Sequence, residues 1–282
     1  MPTIALICDS TADVPEHVRH ELDVQIVPLN VHFGDEVLHD YVDVSPSAFL
    51  RRLETTGELP RSSQPSPALF TAAFETAAKN HDAICVVTIS SKLSGTHQSV
   101  LLAAQSSDLA IPIRIVDSLS ASIGLGLQVE RARSLVDAGV TIDELAQTLE
   151  QERDRYHLIF FADTLEYLQR GGRIGKASQL LGSLLKIKPL LRCLDGEVVP
   201  YERTRTRSGA IDGLIEFARQ FPAIDRIAIM HDGTTSADVD TLLNGIGDRV
   251  PESAITVSQY GPIIATHVGP RALGLCVFEG PG

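Results

Sequence analysis

Short apolar runs alternate with longer helical stripes through the first half of the chain. Thr3 to Cys8, Ala83 to Ile89 and Ile113 to Val116 are brief apolar runs, each followed by a polar turn and then a helical pattern. Leu69, Phe70, Ala73, Phe74 and Ala77 share one helical face, as do Leu125, Val129, Ala132 and Val136, and then Ile142, Leu145, Ala146 and Leu149. This alternation predicts a mostly parallel sheet covered by helices on both faces, a three-layer α/β unit. Residues 24–38 break the rhythm: two apolar segments flank Gly34-Asp35 and read as a hairpin-like addition.

The second half has a different pattern. His157 to Ala162 is a strand run, followed by a Gly-rich loop at 171–175 and a hairpin across Asp195-Gly196. Ile211, Leu214, Ile215 and Ala218 predict one helix facing inward, and Val239, Leu242, Leu243 and Ile246 a second. Ile224 to Met230 is a strand run between them. Three strand-like pieces follow, with turns at Gly261-Pro262 and Gly269-Pro270. The expectation is an α/β protein of two domains, 1–155 with the parallel sheet and 156–282 with a mixed sheet. The change falls at 150–157, where no Pro/Gly linker stands, so the domains should touch across a cleft.

Length and composition fit this picture. A chain of 282 residues is comfortable for two domains, and 44% hydrophobic residues suffice for real cores. The net charge of −12 argues against nucleic acid as the main partner, because phosphate contacts need a basic surface. Aromatics at 5% and the absence of Trp make a base-stacking platform equally unpromising. The apolar start is too short for a signal peptide, and no stretch approaches a membrane span, so the expected location is cytoplasmic. Cys8, Cys85, Cys193 and Cys276 show no C-x-x-C spacing; buried, reduced thiols are expected, with no metal site and no cofactor.

Candidate chemistry concentrates in loops. Asp9-Ser10, Asp117-Ser118 and Asp163-Thr164 stand where strands hand over to helices. They suit N-caps, and they also suit ligand contacts beyond the carboxyl ends of parallel strands. The loop 89–98 opens a helix at Ser94-Gly95-Thr96, where free N–H groups and a hydroxyl favour an anion. Ser62-Ser63-Gln64-Pro65-Ser66-Pro67 reads as a rigid turn with Pro67 near the first helical position. His267 sits in an apolar stretch expected to be a strand. Between Arg170 and Arg207 lie nine basic residues against three acidic ones, a contrast with the acidic whole. That stretch is a solvated mixed surface or a docking patch.

Taken together, Cys8-Asp9-Ser10-Thr11-Ala12-Asp13, the Ser-Gln-Pro-Ser run at 63–66, Leu93-Ser94-Gly95-Thr96, Arg170-Gly171-Gly172-Arg173-Ile174-Gly175, Lys186-Ile187-Lys188-Pro189, and Gly261-Pro262 with Thr266-His267 and Gly269-Pro270 resemble the DegV family of bacterial proteins. The resemblance covers nearly the whole chain. It implies a DegV-like fold and a carrier of a long-chain fatty acid such as palmitate, similar to the binding subunit of bacterial fatty acid kinase. In such a system a separate ATP-dependent kinase subunit phosphorylates the bound carboxylate, and the carrier has no catalytic residue of its own. Carried over by motif, the carboxylate ligands are Ser62, Ser94, Gly95 and His267, on loops placed mainly in the first domain. The family usually has Thr where this chain has Ser62, which keeps the hydroxyl and loses a methyl. Arg170, Arg173, Arg203 and Arg205 become candidates for docking the kinase subunit, and membrane contact is expected to be transient at most.

Three other readings stay open at this point. Ser94 and His267 could serve a serine hydrolase acting on an acyl substrate, although both glycines of a G-x-S-x-G elbow are missing. A self-contained kinase is disfavoured because no P-loop and no dinucleotide fingerprint is present. A purely regulatory protein with adventitious lipid is the third.

Overall fold

The structure, a computed structural model, describes residues 2–181 and 187–281, apart from the side chains at 17, 20 and 248. In chain order the first half runs β1 (Ile4–Asp9), α1 (Glu16–Leu22), β2 (Val24–Val27), β3 (Asn30–Phe33), β4 (Glu36–His39), α2 (Pro46–Thr56), β5 (Arg61–Ser63), α3 (Pro67–Ala77), β6 (Ala83–Thr88), α4 (Thr96–Gln105), β7 (Ile113–Asp117), α5 (Ile123–Asp137) and α6 (Ile142–Gln151). The second half runs β8 (Tyr156–Phe161), α7 (Glu166–Arg170), β9 (Leu190–Leu194), β10 (Glu197–Glu202), α8 (Arg207–Arg219), β11 (Ile224–His231), α9 (Ser236–Ile246), β12 (Ile255–Gln259), α10 (Pro262–Val268) and β13 (Leu273–Glu279).

The four-stranded sheet β2-β1-β6-β7 is parallel throughout. β1 and β6 are buried at every position, as a central strand covered on both faces must be. Their pleat sorts the side chains. Ile4, Leu6, Cys8, Ala83, Cys85 and Val87 meet α5 and α6, while Ala5, Ile7, Ile84 and Val86 meet α3 and α4. The second sheet, β10-β9-β8-β13-β11-β12, is antiparallel except for the β11–β12 pair. One of its faces packs on α8 and α9. The other, with Leu158, Phe160, Ala228 and Met230, turns toward the first half and α10. This α/β architecture, one parallel sheet and one mixed sheet, matches the sequence expectation. The hairpin turns at Gly34-Asp35 and Asp195-Gly196 are also present.

Several expectations need correction. β2 joins the parallel sheet, so only β3 and β4 form the added hairpin, which β5 extends to a three-stranded sheet. Ser62 and Ser63 therefore lie in a strand, although Ser66 and Pro67 do open α3 as cap and first residue. Leu69 is exposed on that helix. The stretch around His267 is helix α10, not a strand. Its residues 262–266 and Val268 are all buried, so no polar face betrays the helical period. Of the three Asp caps, only Asp9 behaves as one: it accepts from Thr11 N at 3.1 Å in a short 3-10 turn. Asp117 instead takes Ser91 N at 3.1 Å, and Asp163 pairs with Lys188 at 2.8 Å and Arg207 at 3.2 Å. Among the described residues no helix is long and apolar enough to cross a membrane.

Candidate ligand-binding site

The inward face of the mixed sheet does not close completely on the first half. Leu158 and Phe160 on β8, Cys193 on β9, Val198 on β10 and Met230 on β11 form one wall of a pocket. Leu29, Ile89, Leu93, Ala121 and Ser122 come from the first half, and Ile263, Ile264 and Val268 from α10. The space measures about 810 Å³, its open mouth included. The lining is mostly aliphatic and aromatic, with few polar groups.

Ser122 stands in the wall beside Met230, and three other polar groups mark one end. Ser62, Arg173 and His267 line both the apolar pocket and an outer polar cleft that also includes Arg170 and Tyr167, so this end is the mouth. Each element places its residue for a local reason. β5 pairs antiparallel to β3, with Ser62 opposite Val31, and this sets Ser62 against α10. Pro262 starts α10 at its first helical position, where a missing N–H costs nothing, and His267 falls in the last turn. Ser62 Oγ lies 2.8 Å from His267 Nε2. Ser94 precedes α4, and its hydroxyl takes Thr96 N at 3.2 Å and meets Thr96 Oγ1 at 2.9 Å. Arg173 donates to Leu93 O at 3.0 Å and to Gly171 O at 2.6 Å. Among the described residues it has no carboxylate partner, so its charge faces the mouth uncompensated.

Burial, and after it the Arg173 guanidinium, push the His267 imidazole down to about 4. The ring is therefore neutral at pH 7. Its Nδ1 is buried with no hydrogen-bond partner among the described residues, against Gly171, where any Cβ would meet that nitrogen. An orphaned acceptor is less costly than an orphaned donor, which favours the proton on Nε2. The ring then donates to Ser62 Oγ and leaves the Ser62 hydroxyl proton free for an incoming oxygen. Together with the Ser94 hydroxyl, the free N–H groups of α4 and the Arg173 charge, the mouth is built for a small anion.

The structure brings Ser62, Ser94 and His267 into one lining. Gly95 does not line the pocket itself. A Cβ there would meet the Gln64 side chain at 2.7 Å, so the glycine permits the loop carrying Ser94 to close on the one carrying Gln64. The basic stretch does not form a single patch. Arg170 pairs with Glu166, Lys188 and Arg207 with Asp163, and Lys176 with Glu197. Arg203 and Arg205 are exposed on the connection from β10 to α8 and line no described pocket, and Lys186 lies outside the described residues. Arg173 is at the mouth itself, a position that the basic count alone did not reveal. His267 pairs with Ser62, not with Ser94 as the hydrolase alternative requires, and among the described residues no carboxylate orients the ring. An imidazole near 4 is also a weak base at neutral pH. Cys8, Cys85 and Cys276 are free and buried, as expected, and Cys193 is free and half-buried.

Fold and site define an α/β protein that encloses an apolar pocket with an anion-suited polar mouth. The chain belongs to the DegV family: the family model described as "Uncharacterised protein, DegV family" matches residues 3–280. A Thermotoga maritima relative named "Fatty acid-binding protein" is 33% identical, covering 96% of each chain. The structure of a Thermus thermophilus DegV family protein, described for its fatty acid binding, superposes with a TM-score of 0.89 at 32% identity, over 99% of this chain and 100% of that one. DegV of Bacillus subtilis, described as a fatty acid binding protein, gives a TM-score of 0.87 at 30% identity, over 99% and 100% of the two chains.

Proposed function

We propose that this protein binds a long-chain fatty acid, with the acyl chain in the apolar pocket and the carboxylate at the mouth. The observation that carries this reading is the pocket's division into an oily body and one polar end holding Ser62, Ser94, His267 and Arg173. The Thermus and Bacillus relatives, both described for fatty acid binding, support it. A 16-carbon chain buries about 14 methylenes at roughly 0.8 kcal/mol each, a gross term near 11 kcal/mol. Each hydrogen bond to a charged head contributes about 1.5–3 kcal/mol. The tail therefore supplies most of the affinity, and the mouth fixes orientation.

The proposal extends to a role as carrier. The first domain, 1–155, supplies Ser62, Ser94 and the Gly95 turn, and the second, 156–282, supplies His267 and most of the sheet wall. The carboxylate faces the cleft where Arg170 and Arg173 stand, within reach of a separate ATP-dependent kinase subunit that would form the acyl phosphate. Arg203 and Arg205, exposed and farther along, are the outer docking candidates. The chain itself performs no chemistry in this scheme. The test pairs two assays on Ser94→Ala: palmitate affinity by calorimetry, and phosphorylation of bound palmitate by the kinase subunit. The affinity should fall about 10-fold, the low end of the range for one hydrogen bond to a charged head, while turnover collapses much further. Unchanged turnover would remove Ser94 from the carboxylate site.

A further inference from the structure

Away from the mouth, a second polar cluster is buried where the two sheets meet. Asp13 follows the 3-10 turn after β1 and is 1% exposed. Its carboxylate takes donors from three distant segments: Tyr41 Oη at 2.9 Å, Gly261 N at 2.9 Å and Ser122 Oγ at 2.5 Å. Its backbone carbonyl accepts a fourth, from Ser258 Oγ. Asp13, Tyr41 and Ser122 all have positive φ, at 48°, 62° and 51°. They are three of seven such non-glycine residues among those described. A left-handed backbone costs such residues on the order of 1 kcal/mol or more, and persists only where the surroundings over-determine it. Here two strained residues converge on the carboxylate of a third.

Two of the partners belong to the ligand site. Ser122 lines the apolar pocket, and its hydroxyl also lies 3.4 Å from Met230 Sδ, another wall residue. Gly261 is the N-cap of α10, whose last turn carries His267. The Tyr41 ring packs so closely on Gly261 that a Cβ there would lie 2.5 Å from it. The seven residues of α10 span roughly 10 Å, so a movement of its first residue is passed to His267. The far end is pinned by Tyr260, whose hydroxyl donates to Gly269 O at 2.9 Å.

We propose that Asp13 is a positioning residue that ties the wall of the acyl pocket, through Ser122, to the head-group helix α10, through Gly261, and so holds His267 in place for the ligand. The last part rests on the fatty-acid reading above; the link from Asp13 to His267 does not. All three carboxylate partners are donors, so only a group with acceptor capacity on both oxygens satisfies them together. Asparagine in its place offers one acceptor and one donor. Its amide would face Ser122, turn that hydroxyl's proton toward Met230 and the pocket, and loosen the clamp on the helix.

The test compares Asp13→Asn with Ser258→Ala, which removes a bond to the same residue's backbone and leaves the carboxylate set intact. The readout is the titration of the His267 imidazole by NMR in ligand-free protein, with palmitate affinity measured in parallel. In Asp13→Asn the His267 midpoint should rise by at least one pH unit from its depressed value as water reaches the ring, and affinity should fall about 10-fold. Ser258→Ala should leave both near wild type, whatever it does to melting temperature. A His267 titration unchanged in Asp13→Asn, or shifted equally by Ser258→Ala, overturns the proposal. If Asp13→Asn fails to fold, Tyr41→Phe and Ser122→Ala each remove one donor and should shift the same titration in the same direction; no shift in either overturns it too. Wild-type protein that binds no palmitate would sink the fatty-acid reading alone, because the His267 titration is measured without ligand.

Discussion

His267 and Asp13 are perturbed in opposite senses by the same cause. Burial disfavours charge on both, lowering the imidazole to about 4 and raising the carboxyl to about 7 despite its three hydrogen bonds. Their effects on stability therefore oppose each other. For His267 the folded value lies below the unfolded one, so its contribution is present above about 6.5 and lost as pH falls through 4. For Asp13 the folded value lies above the unfolded one, so its contribution is present below about 4 and lost as pH rises through 7. The charged and titratable groups facing Asp13 are Arg19 from α1, Asp40 and Tyr41 from the loop before α2, and Tyr260 at the start of α10. A difference curve isolates its own share. Urea unfolding of wild type should lose about 1 kcal/mol more than Asp13→Asn between pH 6 and 8. Parallel curves would show that Asp13 does not titrate in that range. At the mouth, Ser62→Ala should weaken palmitate binding by about 1.5–3 kcal/mol, roughly 10- to 100-fold, while Ser62→Thr retains the hydroxyl and most of the affinity. Calorimetry at fixed salt separates the two.

At the scale of elements, the strands that shape the pocket make a sharper prediction. Met230 on β11 and Phe160 on β8 project from the inward face of the mixed sheet into the pocket. Met230→Trp adds bulk there, so the protein should retain shorter acyl chains and lose C16 and C18, as read by native mass spectrometry. Loss of every chain length together with a loss of fold would instead place Met230 in the packed core. The same elements show what the sequence disclosed. β1, β6, β7, β8 and β11 were legible as apolar runs, and the stripe on α6 appeared because that helix keeps one wet face. α10 was not legible, because burial on nearly all sides gives a helix the same apolar run as a strand. Pro262 after Gly261 was the one available signal of a helix start. α1 is short, and for α2 only Ser45, its cap ahead of Pro46, marks a boundary.

For the whole molecule, the decisive feature is where two sheets fail to fill the space between them. The resemblance to the DegV family implied Ser62, Ser94 and His267 as carboxylate ligands, and all three line one pocket. Arg173 was legible only as one docking candidate among nine basic residues, because sequence gives no hint of which one lacks a carboxylate and lines the pocket. The Asp13 cluster was not legible because Tyr41, Ser122 and Gly261 are 28, 109 and 248 positions away in sequence. Only folding brings such groups together. Saturation should also reach the whole molecule: palmitate at 100 times its dissociation constant should stabilise the fold by about 2.7 kcal/mol, visible as a higher melting temperature.

The most direct check is native mass spectrometry of the protein purified without added lipid, followed by extraction and identification of anything released. A single bound fatty acid of about 16–18 carbons per chain, displaced by added palmitate, is the predicted result. A chain of bare protein mass that takes up no palmitate on titration would contradict the account.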